Sequence, residues 1–499
     1  MWCMVASMYV DTTTTERNGK VYVRHLLRTS FREKGKVKHK TLLNLSPCSE
    51  EEIAAIKLAL KHKGKLTSLA SLGDIETTLG KSIGAVWALN VVAQRTGLSK
   101  ALGAGLEART AMLQVVARVI DQGSRLSAVR LARRHAACEI LGIKKLDEND
   151  LYKNLAWLAD NQEKIEQKLF RLRHPKAVPS LFLYDVTSSY LEGDCNELAA
   201  WGYNRDGKKG KRQIVVGLLA DQQGEPVAVR VFEGNTQDAQ TVGEQVRTLA
   251  EGFGVREVTL VGDRGMLKGP QIDALPDDFR YVTAITKPQI RKLLGEGVLQ
   301  LDLFHNDVCE VEHDGVRYIM RRNPLRAEQS AQTRASKLEA ILAFAERQTS
   351  YLAEHPRAQA NKALERVRAK IKKLKADKWL AATENERAIV VEPDADALAQ
   401  AALLDGCYVI KSDVSKKAAN AQTLHDRYCD LEMVERAFRT MKTAHLDMRP
   451  VFVRKEKRTQ GHAFVVMLAL LLQRELERSW AELDVTVQEG LDELAAVHL

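Results

Sequence analysis

The hydrophobic period of this chain changes at Pro179, and that change restricts the folds open to it. Between residues 51 and 175, apolar residues recur every three or four positions in EEIAAIKLALKHK, GAVWALNVVAQRTG, ARTAMLQVVARVID and NLAWLADNQEKIEQKLFRL, which is helical spacing. From Pro179 onward, VPSLFLYDVTSSY, KRQIVVGLLAD, PVAVRVFEGN, REVTLVGDRGM and FRYVTAIT are short runs rich in Val, Ile and Leu, bounded by Gly, Asp or Pro, and read as strands. Residues 239–253, between the third and fourth runs, read as a helix. Three strands, a helix and a further strand define an α/β class with a mixed sheet.

The remaining segments frame this core. Residues 16–45 read as a β-hairpin or small sheet, with Asn18-Gly19 and Gly35 as turns and VYV at 21–23 as strand. Residues 301–400 interrupt the sheet pattern. There Leu338, Ile341, Leu342, Ala345 and Leu352 lie at helical spacing, Pro356 breaks it, and Leu364, Val367, Ile371 and Leu374 resume it, as in an inserted helical hairpin. GCYVIKSD at 406–413 returns to strand, HDRYCDLEMVERAFRTMK is helical, and GHAFVVMLALLLQRELER is too short for a membrane span and reads as a buried core helix. The expected organisation is a basic β-hairpin region at 1–50, a helical region at 51–175 that with the basic hairpin before it reads as DNA-binding or else as a packing scaffold, the first part of the core at 176–300, the insertion at 301–400, the second part of the core at 401–480 and a C-terminal tail at 481–499.

A chain of 499 residues exceeds one ordinary core, 45% hydrophobic with 28% charged residues fits a soluble globular protein, and an odd number of cysteines without C-x-x-C pairs fits the reducing cytoplasm. The net charge of +10 is unevenly placed. Nine Lys/Arg against two acids fall between Glu16 and Lys40, five against one between Asn204 and Arg212, and nine Lys/Arg between Arg357 and Lys378. Clustered cations favour a polyanion, most often nucleic acid, although a solvated helix face is the default for the last cluster. The seven cysteines form no C-x-x-C pair, which argues against a zinc site or a disulfide framework. MWCMVASMYV lacks a basic leader and a long apolar run, so it is not read as a signal peptide, and Met8 is a candidate start. LGKS at 79–82 lacks the glycine spacing of a phosphate-binding loop, so no nucleotide cofactor is expected.

Two apolar runs end in acids: Asp185 in LFLYDVTSSYLEG and Asp263 in VTLVGDRGM. A carboxylate at the end of a buried strand lies at the rim of a sheet, where ligands commonly bind. Two such acids on neighbouring strands repel unless a cation stands between them, and Mg²⁺, a hard ion with oxygen ligands, suits that place. Taken singly, a strand-ending Asp is more often a turn former or helix cap. A third acid, Glu435, lies in YCDLEMVERAFRTMK with Tyr428 seven residues before it and Lys442 seven after. On one continuous helix the three would share a stripe, since seven residues drift only ~20°. An ordinary amphipathic helix fits the same spacing.

In this order, the motifs resemble the DDE transposases of bacterial insertion sequences, in the group whose last acid carries the signature Tyr-x2-Arg-x3-Glu-x6-Lys. Here the signature reads Tyr428, Leu431, Glu435 and Lys442, with Leu431 departing from Arg, and Arg436 and Arg439 lie nearby. FLYDVTS matches around the first acid and LVGDRGM around the second. GYNRDGKKGKRQIVVGLL, FEGNTQDAQT and RPVFVRKEKRTQGHAFVVMLALLL add support, so the likeness runs from about residue 180 to 475, and more weakly to the N-terminal hairpin.

The resemblance implies an RNase H-like core in which Asp185, Asp263 and Glu435 converge and hold two ions, Mg²⁺ or Mn²⁺. It implies metal-dependent cleavage at the element ends and transfer of the 3′-OH ends into target DNA, by a homodimer in the synaptic complex. Tyr428, Lys442 and Arg439, with Arg205, Lys208, Lys209, Lys211 and Arg212, would contact DNA at the terminal inverted repeats and target. Two rivals stay open: a structure-specific metal-dependent endonuclease of the same fold, and a catalytically decayed protein that only binds element ends.

Overall fold

Alternating apolar side chains and turn signals place the strands of this protein, and the computed structural model describes residues 7–17, 19–33, 36–62, 80–305, 307–443, 446–449 and 451–499. The turn residues Asn18 and Gly35, and the start MWCMVA, lie outside the described residues. The chain divides into two units, Met1–Gly80 and Lys81–Leu499.

In the first unit β1 (Ser7–Arg17), β2 (Lys20–Glu33) and β3 (Lys36–Asn44) form an antiparallel sheet in the order β1-β2-β3. Helix α1 (Glu50–Lys61) follows, opened by a capping box in which the Ser49 hydroxyl accepts from Glu52 N and the Glu52 carboxylate accepts from Ser49 N. Of the hairpin or small sheet expected from residues 16–45, the structure has the small sheet, with three strands.

The second unit begins with the helices α2 (Gly84–Arg95), α3 (Leu98–Leu102), α4 (Leu106–Ile120), α5 (Arg125–Arg134), α6 (Ala137–Leu141) and α7 (Glu148–Arg173). Then come β4 (Leu181–Tyr190), β5 (Gln213–Asp221), β6 (Pro226–Glu233), α8 (Val242–Arg247), β7 (Val258–Gly262), α9 (Gly269–Asp273), β8 (Phe279–Ala284), α10 (Lys287–Gly295), β9 (Cys309–His313) and β10 (Val316–Arg322). The chain continues through α11 (Pro324–Glu354), α12 (Ala360–Lys373), β11 (Leu380–Asn385), β12 (Ala388–Pro393), α13 (Ala395–Ala402), β13 (Cys407–Ser412), α14 (Ala421–Cys429), α15 (Leu431–Lys442), α16 (Glu456–Ser479) and α17 (Val487–Ala495).

Eight of these strands form one mixed sheet in the order β6-β5-β4-β7-β8-β13-β10-β9. β4, β7 and β8 run parallel, and their neighbours pair antiparallel. The α/β class read from the sequence is therefore the observed one. The period-2 alternation of β4 sends Leu181 and Leu183 into one core, and Phe182 and Tyr184 into the other. The first core includes α4, α7, α15 and α16, and the second holds Val242, Leu249 and Phe253 from the composite helical stretch between β6 and β7.

Helix α16 organises the first core. Phe464, Leu468, Leu471 and Leu472 are all buried, and each contributes about 1.5–3 kcal/mol by leaving water. At Gly461 the helix meets α7 so closely that a Cβ would stand 2.0 Å from the Leu155 carbonyl oxygen. The helices α2–α7 thus share a core with the sheet. The C-terminal tail is docked as well: Ile83 N donates to Val497 O at 2.8 Å, and Leu499 N to Lys81 O at 3.0 Å.

Residues 301–400 hold more than a helical hairpin. β9 and β10 complete the edge of the main sheet, turning through Asp314 and Gly315 at positive φ (50° and 72°). α11 and α12 pack on each other and on the β11–β12 hairpin around Ile341, Ala345, Val367 and Ile371. The single helix read across 428–442 is also broken. Asp430 separates α14 from α15, its carbonyl accepting from Met433 N at 2.9 Å and its carboxylate from Arg427 at 3.2 Å. Asp competes with helical hydrogen bonding through such local contacts.

Candidate active site

The parallel register of β4 and β7 determines where the first two acids stand. Leu181 pairs with Thr259, and the series runs to Tyr184 with Gly262. One step further, Asp185 and Asp263 stand level on adjacent chains. Asp185 follows Leu183 by two residues, so it faces the side covered by α15. Leu431, Val434, Phe438 and Met441 seat α15 on that face, and Glu435 rises from its exposed flank.

These acids feel one another. The Asp185 carboxyl is pushed up to about 7, chiefly by burial and further by the charges of Asp263 and Glu435, while its bond from Val186 N and the charge of Arg205 oppose the rise. Asp185 Oδ1 accepts from Val186 N at 2.8 Å, and Asp263 Oδ1 accepts from Arg264 N at 2.7 Å. The Tyr428 hydroxyl reaches Asp263 Oδ1 at 3.5 Å, the limit of a hydrogen bond. Burial, then the Asp263 charge, raises the Tyr428 phenol, which keeps it a donor. Arg205 is held by Asp238 Oδ1 at 2.5 Å, and a Cβ on Gly265, two residues after Asp263, would stand 3.3 Å from Asp238 Oδ2.

Among the described residues, no three Asp, Glu, His or Cys side chains stand at the spacing that would ligate one ion. The donor set nevertheless fits a hard divalent cation in chemistry and charge. It offers carboxylate oxygens only, and the charges of Asp263 and Glu435 add to burial in raising the Asp185 carboxyl, a field that a cation would offset.

The expected DNA contacts separate into two groups. Lys442 is buried: its Nζ donates to Asp206 Oδ1 at 2.7 Å and to Thr187 Oγ1 at 2.8 Å, and burial lowers its pKa against the pull of Asp206. Lys211 pairs with Glu192 at 2.6 Å, Arg212 Nη1 donates to the Asp194 carbonyl at 3.4 Å, and Lys208 lies 5.7 Å from the Tyr190 ring centre. Lys209 and Arg439 are exposed and have no ion-pair partner among the described residues, and Arg439 lies one turn beyond Glu435 on the same flank. Leu431, where the signature has Arg, is 8% exposed and part of the core. Arg436 pairs with Glu432 at 3.3 Å.

Sequence reading passed over Asp206, whose side chain is 1% exposed. It accepts from Lys442, from Arg449 at 2.6 Å and from Tyr190 N at 3.1 Å, tying the cationic loop to β4 and to the end of α15. Its signal was a lone acid inside a cation run.

The mixed sheet, of the kind found in RNase H-like cores, carries one acid on β4, a second just past the end of β7 and a third on the covering helix α15. Residues 176–472 match the transposase DDE domain, so this chain belongs to the DDE transposases. Residues 10–74 match the N-terminal domain of IS1634 family transposases, and the protein is accordingly an insertion-sequence transposase that cuts DNA and transfers strands. The activity of this family depends on divalent metal. No curated protein matches the chain. A solved piggyBac transposase synaptic complex with hairpin DNA aligns at 8% identity and a TM-score of 0.38, over 78% of this chain and 70% of that one. Among the described residues, no helix is long and apolar enough to cross a membrane.

Proposed function

We propose that Asp185, Asp263 and Glu435 are the catalytic carboxylates and together hold two divalent ions, Mg²⁺ or Mn²⁺. The supporting observation is the level placement of Asp185 and Asp263, with Glu435 near enough to help raise the Asp185 carboxyl. A bound pair of ions supplies charge stabilisation for the attacking and leaving oxygens of an in-line displacement at phosphorus. The protein supplies the rest. Asp185 on β4 and Asp263 just past β7 would offer two carboxylates to the ions, Asp185 in its ionised form. The Tyr428 hydroxyl orients Asp263, and α15 brings Glu435 across.

Arg439 and Lys209 contact phosphate directly. Lys442 acts through Asp206, which holds the 204–212 loop and with it Arg205 beside the acids. The substrates are the terminal inverted repeats and a target duplex, and a homodimer aligns two ends. The test is end cleavage and strand transfer by Asp185→Asn, Asp263→Asn and Glu435→Gln on a two-ended substrate. Each should lose both reactions by about 10²–10³-fold or more, in line with what a single stabilising group supplies, while still binding the ends. Cleavage retained by any one of them removes that residue from the site. Cleavage without joining by the unaltered protein would favour a structure-specific nuclease.

A further inference from the structure

Most of the cations that the sequence singles out beside the acids are already engaged. Arg205, Lys211 and Lys442 each pair with a carboxylate, Arg212 donates to a carbonyl and Lys208 stands over the Tyr190 ring. The insertion differs. Between Arg357 and Lys378 stand Arg357, Lys362, Arg366, Arg368, Lys370, Lys372, Lys373, Lys375 and Lys378, against Glu365 and Asp377. Among the described residues, none of these nine is in an ion pair, although carboxylates stand on the same helix and on α11. Two have other contacts: Arg368 donates to the Ala382 carbonyl, and Lys370 lies 5.1 Å from the Phe344 ring centre.

The helix fixes which of them act together. Ala363, Val367 and Ile371 face the insertion's own core. At 100° per residue, Lys362, Arg366 and Lys373 fall within ~40° of one another on the adjacent flank, and their Cα atoms span ~16 Å along the axis. All three are exposed. Uncompensated like charges held in a row on a packed helix repel one another, and a regular row of opposite charge is the partner that offsets this. The phosphates of duplex DNA form such a row, at one charge per ~3.4 Å of axis on each strand.

We propose that this flank of α12 is a second DNA-binding surface, apart from the three acids, which grips the phosphate backbone of a duplex without reading its sequence. The proposal rests on the protein acting on DNA but not on the identity of its catalytic residues. A second copy of the chain or an acidic protein segment is the competing occupant.

The experiment uses the full-length protein in EDTA, so that no cleavage occurs. Binding is followed by fluorescence anisotropy on an element-end duplex and on a random duplex across a range of salt. The triple variant Lys362→Gln/Arg366→Gln/Lys373→Gln changes only exposed side chains to good helix formers, and a thermal melt checks its fold. The slope of log affinity against log salt should fall in magnitude by about 2–3, at ~0.9 per phosphate contact, equally on both duplexes. An unchanged slope, a loss confined to the element-end duplex, or a change of assembly state without DNA overturns the proposal. Failure here leaves the carboxylate assignment untouched, because the amide variants of the acids test that through cleavage.

Discussion

Asp185 and Asp263 stand one residue beyond the last register pair of two parallel strands, Tyr184 with Gly262, which places Asp185 on β4 beside the residue that follows β7. Burial first, and then the charges of Asp263 and Glu435, push the Asp185 carboxyl up to about 7.

Stability of the metal-free protein should therefore depend on pH through Asp185. Its folded pKa is raised from 3.8 to about 7, so the folded state keeps a proton that the unfolded chain has released. The unfolded state binds fewer protons across this window, and stability falls as pH rises from about 4 to about 7. Asp185→Asn removes the term. In EDTA its melting temperature should exceed that of the unaltered protein at pH 8, and match it near pH 4. An equal difference at both pH values contradicts the linkage.

Lys442 should behave as a structural residue. Its ammonium and the Asp206 carboxylate are 10% and 1% exposed, and removing one partner of a buried pair costs about 3–5 kcal/mol. Arg449 still faces Asp206 in Lys442→Met, so a loss nearer 3 kcal/mol is expected by urea unfolding. Asp206→Asn should cost at least as much, because it leaves two cations unpaired. If Lys442→Met keeps full stability and only weakens DNA binding, Lys442 is a phosphate contact after all.

Leu431→Arg would restore the transposase signature. In this chain it forces a guanidinium into the apolar contact that seats α15. A loss of at least ~2 kcal/mol is expected, with no gain in affinity for DNA. A tighter complex at unchanged stability would show that the position still faces phosphate.

Gly461→Ala places a methyl group against the Leu155 carbonyl, where the ideal separation is 2.0 Å. Backbone cannot yield as a side-chain tip does, so overpacking should cost about 1–3 kcal/mol or more. Its site is remote from the acids in sequence and element, and cleavage at low temperature should persist.

Asp185, Asp263 and Glu435 became candidates because three motifs stand in order along the chain, since an apolar run that stops at an acid, or an acid inside an amphipathic helix, singles out none of them alone. The class of the sheet was legible because strand period and bounding turns are local. What escaped depended on distant pairing. Lys442 reads as a free cation until Asp206 is brought to it from the loop after β4. β9 and β10 lay inside a stretch dominated by a helical pattern, yet their Asp314-Gly315 turn was a hairpin signal in plain view. The interruption at Asp430 was hidden because the apolar spacing continues through it, while a side-chain bond and a tightened turn at that one residue divide the helix.

The three proposed carboxylates act as one metal site or they do not, and counting bound Mn²⁺ by electron paramagnetic resonance on the protein with an element-end duplex decides it. Two ions per active site are expected for the unaltered protein, with fewer for Asp185→Asn and for Glu435→Gln at equal DNA occupancy. Unchanged stoichiometry and affinity in both variants would contradict the account.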